Sequence, residues 1–111
     1  METSLKDSAR KFKVNERVEI SDFGKIKLDH NEMVSFVTES GKEYDFTAKN
    51  WGFYASPSIN ERLVKEGFKT ALVKNTMGKY YIMVVENDKL KEFNEYLKIE
   101  ENFLVEWLDE K

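Results

Sequence analysis

The sequence TALVKNTMGKYYIMVVEND, residues 70–88, carries the clearest fold signal in the chain. Two runs rich in β-branched and aromatic residues, 70–73 and 80–85, flank a short loop at 75–78. Gly78 suits the positive φ that a tight hairpin turn requires. The stretch therefore predicts a β-hairpin, and the strongly apolar run 80–85 predicts the central strand of its sheet.

A strand and a helix are predicted before this hairpin. Residues 51–55 form a short apolar run that is typical of a strand. Two N-caps then compete for the helix that follows: Ser56 with Pro57 at the first helical position, or Ser58 with Glu61 as a capping box. We favour Ser56. Gly67 is expected to end this helix in the left-handed conformation.

A second helix and a last strand are predicted after the hairpin. Asn87 and Asp88 are expected to cap the helix. Its apolar residues share one face: Leu90, Phe93 and Leu97. The segment 103–108 fits either a strand or a helix, and we predict a strand because a third helix would lack a cap. The order strand, helix, strand, strand, helix, strand over 51–108 is the split β-α-β arrangement of ferredoxin-like folds.

The first half of the chain predicts antiparallel strands. Apolar residues alternate with polar ones at Phe12, Val14, Val18 and Ile20. Turn signals follow at 22–24 and at 29–32.

The clearest strand pair in this half flanks Ser40 and Gly41, which predict a hairpin between 33–38 and 43–47. We therefore expect a β-meander over 12–48. Residues 1–11 lack an apolar pattern and are expected to form a frayed tail.

A chain of 111 residues predicts one domain over 1–111. The fold class is α+β, with an antiparallel sheet and two short helices. Without cysteine, the chain has no disulfide, no thiolate metal site and no thiol chemistry. We predict no metal and no cofactor, because the one histidine, His30, leaves no cluster of imidazole ligands.

Charge separates the two ends of the chain. The net charge is −3, and residues 86–111 hold nine acidic and four basic side chains. No basic stripe is present, which argues against nucleic acid as a partner. We interpret the acidic segment 86–111 as a solvated surface. The alternative is that it forms the binding face of an acidic protein-binding inhibitor or a nucleic-acid mimic. No apolar run is long enough for a membrane span, and the chain starts without an apolar leader. We therefore expect a cytoplasmic protein.

The segment 51–62 is the main candidate for ligand binding. Aromatic rings can stack on a sugar or a base, and a helix N-terminus with a guanidinium favours an anion. The candidate ligand-binding residues are Trp51, Tyr54, Ser56, Ser58, Asn60 and Arg62. Glycine-rich phosphate loops are missing. We expect a small anionic or sugar-like ligand.

Enzymatic activity is not favoured, because no nucleophile and base stand at a recognisable spacing. The alternative is a small enzyme that acts on a nucleotide sugar with His30 as general base. A protein partner also fits these features, and an open sheet edge would allow a homodimer.

Three stretches carry a resemblance to a known group of proteins. They are the run from Trp51 to Arg62, the run from Gly67 to Asn75, and the closing Trp107 to Asp109. Over residues 17–110 the chain resembles small uncharacterised bacterial proteins encoded among genes for surface-polysaccharide biosynthesis. The resemblance implies a pathway and transfers no catalytic residue. It is consistent with an intracellular, non-enzymatic binding or accessory protein.

Overall fold

The computed structural model describes all 111 residues. About half of them lie in strands, and the fold is α+β with mainly antiparallel sheets and two short helices, as predicted. The elements are β1 (Glu2–Lys13), β2 (Glu19–Lys27), β3 (Met33–Val37), β4 (Glu43–Lys49), β5 (Gly52–Ala55), α1 (Arg62–Lys65), β6 (Phe68–Lys74), β7 (Tyr80–Glu86), α2 (Leu90–Ile99), β8 (Phe103–Trp107) and a 3-10 turn (Leu108–Glu110).

Strands β1 and β2 form a two-stranded antiparallel ribbon. The predicted frayed tail at 1–11 is wrong, because these residues belong to β1 and pair with β2 from Glu2 opposite Lys27 onward. The apolar pattern was not visible because almost every residue of this ribbon is exposed, so neither face needs to alternate.

The turn predicted at 22–24 is also wrong. Gly24 lies inside β2, opposite Leu5, with a φ of 120°. The chain reverses earlier, where the Val14 N–H donates to the Val18 carbonyl over 2.9 Å. Asn15 Oδ1 accepts the Val18 N–H over 2.9 Å and so fixes that bend.

Strands β3, β4 and β5 form a second sheet in that order. The hairpin predicted at Ser40 and Gly41 is confirmed, since the Gly41 N–H donates to the Thr38 carbonyl and the Thr38 N–H to the Lys42 carbonyl, each over 2.9 Å. Gly41 has a φ of 93°, which is the conformation that favours glycine.

The third sheet has the order β7-β6-β8, and both outer strands are antiparallel to β6. Strands β7 and β8 therefore run parallel, are joined by α2 and enclose β6, which is the split β-α-β arrangement predicted for this half. The prediction that 80–85 is central is wrong. The shorter apolar run in β6 is the central strand, and Ala71 and Val73 are fully buried there.

Helix α2 covers one face of this sheet. Phe93 and Leu97 pack against Ala71, Val73 and Val85. Their apolar contacts supply the main core, as the 3.6-residue spacing predicts. No side-chain hydrogen bond caps the helix, so the cap predicted at 87 and 88 is wrong.

Helix α1 is shorter than predicted and starts at Arg62, so the N-cap expected at Ser56 and Pro57 is wrong. The Ser58 hydroxyl accepts the Arg62 N–H over 3.0 Å, and the Ser58 carbonyl accepts the Leu63 N–H over 2.9 Å. Pro57 is fully buried. Gly67, at a φ of 95°, ends the helix as predicted.

The chain divides into two compact units. The first comprises 1–33 and 47–54, and the second comprises 34–46 and 55–111. The single domain expected from the chain length stays a prediction. Neither helix is long and apolar enough to cross a lipid bilayer.

Candidate functional site

Two exposed aromatic rings lie beside each other in the first unit. The ring centroids of Trp51 and Tyr54 are 6.3 Å apart, and the ring planes meet at 24°. Trp51 is 69% exposed and Tyr54 is 41% exposed. An offset, near-parallel pair of this kind presents apolar ring surface to solvent.

The turn between β4 and β5 places the pair. Trp51 occupies this turn, and Gly52 follows with a φ of 146° that a side chain would strain. The chain can therefore enter β5 directly after the tryptophan.

The loop before β3 supports this turn through two bonds to β4. The Asn31 N–H donates to the Ala48 carbonyl, and the Ala48 N–H donates to the Glu32 carbonyl, each over 2.8 Å. Ala48 is buried, so this contact is shielded from water. These two backbone hydrogen bonds therefore hold the β4 end of the turn in place.

Two polar contacts place further donors beside the turn. The Asn50 N–H donates to His30 Nδ1 over 3.0 Å, and Lys49 Nζ donates to Asn31 Oδ1 over 2.7 Å. Glu32 braces the same loop by accepting the Asp29 N–H over 2.7 Å, and this hydrogen bond lowers the pKa of the Glu32 carboxyl.

The hydrogen bond from the Asn50 N–H determines which ring nitrogen of His30 carries the proton in the neutral imidazole. Because Nδ1 accepts a backbone N–H, a neutral imidazole carries its proton on Nε2. Nε2 is then a hydrogen-bond donor and not a proton acceptor. This geometry favours a binding role for His30 over the alternative of a general base.

The other predicted site residues belong to the second unit. The Ser56 N–H donates to the Asp45 carbonyl over 3.0 Å. The Ser58 hydroxyl accepts the N–H of Arg62, the first residue of α1, and Asn60 is exposed between Ser58 and the helix. These three residues thus build the approach to α1.

Arg62 has its charge compensated by carboxylates. Its Nη2 lies 3.3 Å from Asp45 Oδ2, and its Nε lies 3.4 Å from Glu66 Oε1. Helix α1 is only four residues long and offers no developed dipole. The Arg62 guanidinium is therefore already paired with carboxylates, while the rings of Trp51 and Tyr54 are exposed.

Depressions elsewhere on the surface have different chemistry. Arg62 borders one of about 400 Å³ with Lys42, Glu43, Asp45 and Glu66, where opposite charges already pair. No group of three or more His, Asp or Glu side chains is placed to hold a metal ion.

An apolar groove of about 380 Å³ lies between β7 and α2. No motif in the sequence predicts a site at this groove. The uncharged run at 80–85 predicts a buried strand, and the same apolar side chains also fit a strand that borders an open groove.

Comparison with protein-family models, with curated proteins and with solved structures found no match.

Proposed function

We propose that this protein is a non-enzymatic binding protein that holds a sugar-like ring on the Trp51–Tyr54 pair. The observation that carries the proposal is the exposure of two near-parallel rings beside a turn with polar donors. The two rings stabilise each other by their mutual contact, but the ring surface that they leave exposed contributes stabilisation only when a ligand covers it.

The rings supply affinity and the polar groups supply orientation. A sugar face that covers about 100 Å² of ring surface gains about 2.5 kcal/mol at about 25 cal/mol per Å². His30 and Lys49 belong to the same unit as the ring pair. His30 Nε2 and the Lys49 ammonium can donate hydrogen bonds to the hydroxyl oxygens of a sugar. Because the Arg62 guanidinium is already paired with carboxylates, we expect no contribution from it, millimolar affinity for a single sugar unit and tighter binding for an oligosaccharide.

The resemblance noted above supplies the biological setting of the proposal. We propose an accessory role in surface-polysaccharide biosynthesis, inside the cell, where activated sugars carry both a ring and phosphate. The ring is then the part that this protein recognises, and the phosphate contributes little.

The test is a titration followed by NMR of the backbone amides of β4, β5 and their turn, and of the Trp51 indole N–H where it is present, with cellotetraose and chitotetraose as neutral probes and UDP-glucose as the phosphorylated one. We expect saturable shifts of the Trp51 signal for a neutral oligosaccharide. Trp51→Ala and Tyr54→Ala should each weaken binding at least tenfold.

Phe53→Ala is the matched control, because Phe53 is an exposed ring of the same hairpin that lies outside the pair. Its binding should match that of the wild type, and so should that of Arg62→Ala. Equal losses in Phe53→Ala and Trp51→Ala, or no saturable shift with any probe, would contradict the proposal.

A further inference from the structure

Strand β7 is an open edge of the sheet β7-β6-β8. Its backbone pairs with β6 on one side only. The unpaired N–H and C=O groups of an edge strand are a template for a further strand. Residues 80–85, Tyr-Tyr-Ile-Met-Val-Val, contain neither charge nor proline to prevent such pairing.

Two other edge strands, β8 and β1, carry protection that β7 lacks, and the uncharged edge strands β3 and β5 are shorter, with five and four residues. Strand β8 has a register irregularity against β6 and carries Glu106. Strand β1 has an irregularity between Leu5 and Arg10 and carries charged residues along its length. Bulges and charges are the usual means of blocking edge-to-edge pairing. Strand β7 has neither over residues 80–85, so its seven-residue edge is open to pairing.

The side chains of β7 are apolar and exposed on both faces of the strand. Tyr80 and Ile82, on the face away from α2, are 58% and 60% exposed. Tyr81, on the α2 face with Met83 and Val85, is 46% exposed. A strand added at this edge would therefore cover apolar surface on both faces.

The apolar groove described above lies along the same edge. Met83 and Val85 line it from β7, Phe93 and Tyr96 line it from α2, and Lys89 and Glu92 stand at its rim. An aromatic ring brought against Val85 from outside would meet the mouth of this groove.

We propose that the partner at this edge is a second copy of this chain, with the two β7 strands antiparallel and Met83 at the two-fold axis. In this register Tyr81 stands opposite Val85 of the partner subunit, and Ile82 stands opposite Val84 of the partner subunit. Each Tyr81 ring then covers the groove of the other copy, since directly opposite side chains lie within about 5.5 Å at Cβ.

Self-pairing fits this strand for two reasons. An antiparallel pair of identical strands is closed by a two-fold axis and leaves no further edge to extend at that point. With Met83 at the axis, Lys79 of each copy stands opposite Asn87 of the partner subunit, one position from Glu86 of the partner subunit, so opposite charges lie near each other at both ends of the strand pair. A parallel pairing would place like charges together.

The proposed pairing of the two β7 strands is limited at one end of the strand. The Glu86 carboxylate accepts hydrogen bonds from the hydroxyls of Thr38, over 3.0 Å, and Ser40. The β3–β4 hairpin therefore occupies the end of β7, and the proposed pairing joins residues 81–85. An interface of this length is smaller than the standard of about 800 Å² per partner, so we expect dissociation in the micromolar range.

The first test is sedimentation velocity over a concentration series of the full chain. The wild type should pass from monomer to dimer, and Ile82→Lys should weaken the dimer at least tenfold because it places a charge opposite an apolar side chain. Val105→Lys on β8 is the matched control, because Val105 is also an exposed aliphatic residue on an edge strand. Its dimerisation should equal that of the wild type.

The second test uses the absence of cysteine from the chain. Under mild oxidation Met83→Cys should form a disulfide-linked dimer, because the two Cβ atoms face each other across the axis. Ile82→Cys and Val84→Cys should cross-link efficiently only when the two variants are mixed. Val105→Cys should stay monomeric.

Three results would overturn the proposal. They are a monomer at every concentration with no Met83→Cys cross-link, an Ile82→Lys variant that dimerises like the wild type, and cross-linking at Val105→Cys in place of Met83→Cys. The cross-linking arm decides the question even if Ile82→Lys does not fold.

Discussion

Lys69 and Asp109 form an ion pair that fastens the end of the chain to the central strand of its sheet. Lys69 Nζ lies 2.8 Å from Asp109 Oδ2, and the Asp109 side chain is only 4% exposed. Asp109 Oδ1 also accepts the Thr70 N–H over 2.9 Å. The Lys69 ammonium also lies 4.8 Å from the centre of the Trp107 ring, a cation–π contact that helps to hold the lysine end of the pair in place.

Asp109→Ala should lower the free energy of unfolding by about 2 to 3 kcal/mol. The change leaves a buried backbone N–H and a half-buried ammonium without their acceptor. Urea unfolding followed by circular dichroism measures the loss. Glu110→Ala, at the exposed neighbouring carboxylate, is the control and should change stability by less than about 0.5 kcal/mol. Equal effects of the two changes would contradict this account.

The same carboxylate should make stability depend on pH. Burial raises the pKa of Asp109, but the hydrogen bonds from Lys69 and Thr70 outweigh it, so the native pKa lies below 3.8. The unfolded chain then binds the proton more readily than the native one. The stability from this group is complete above about pH 5 and is lost as pH falls through the native pKa. The stability gap between wild type and Asp109→Asn should therefore narrow between pH 5 and pH 2. A gap that is constant over this range would show that the charge contributes nothing.

Thr70→Val should stabilise the protein by about 1 kcal/mol. Thr70 is buried in β6, and its Oγ1 has no hydrogen-bond partner. Valine has nearly the same shape and removes the unpaired hydroxyl, while the backbone N–H bond to Asp109 remains. The midpoint of thermal unfolding should rise by several degrees. Thr70→Ser, which keeps the hydroxyl and removes a methyl group, should lower the midpoint instead.

Gly24→Ala should disrupt the β1–β2 ribbon. A Cβ at this position would lie 1.9 Å from the Ser4 carbonyl oxygen, and the φ of 120° strains any side chain. Hydrogen exchange of the ribbon amides should become much faster, while the amides of β6 should keep their protection. Gly41→Ala is the control, because its Cβ would meet no atom within 4 Å and only the φ of 93° opposes it. Similar exchange in the two variants would argue against the close contact at Ser4.

Local sequence signals were sufficient where a residue's neighbours in the chain determine its conformation. The loop at 75–78, the stop at Gly67 and the apolar face of α2 are of this kind. Residues that depend on distant partners were predicted less well. Arg62 was expected to face a ligand, yet it pairs with Asp45, which is 17 positions away and not visible as a neighbour in the sequence.

The place of β7 was missed for a different reason. An apolar run such as 80–85 predicts burial because water disfavours its side chains, but it does not say which molecule covers them. Conversely β1 was missed because a ribbon with two exposed faces needs no apolar alternation. The ring pair at Trp51 and Tyr54 was predicted as candidate binding residues from residue type, while the polar contact between His30 and Asn50 required the structure.

The path of the chain through its two units has an evolutionary consequence. The second unit consists of 34–46 and 55–111, and the chain returns to the first unit between them. A single recombination event within the gene cannot transfer either unit whole, because each comprises two separate stretches of coding sequence. Fusion of two ancestral genes end to end would place each unit in one continuous stretch, and this chain does not have that arrangement. We therefore expect related proteins to keep the two units together and to vary by substitution or loop length, never by loss of one unit.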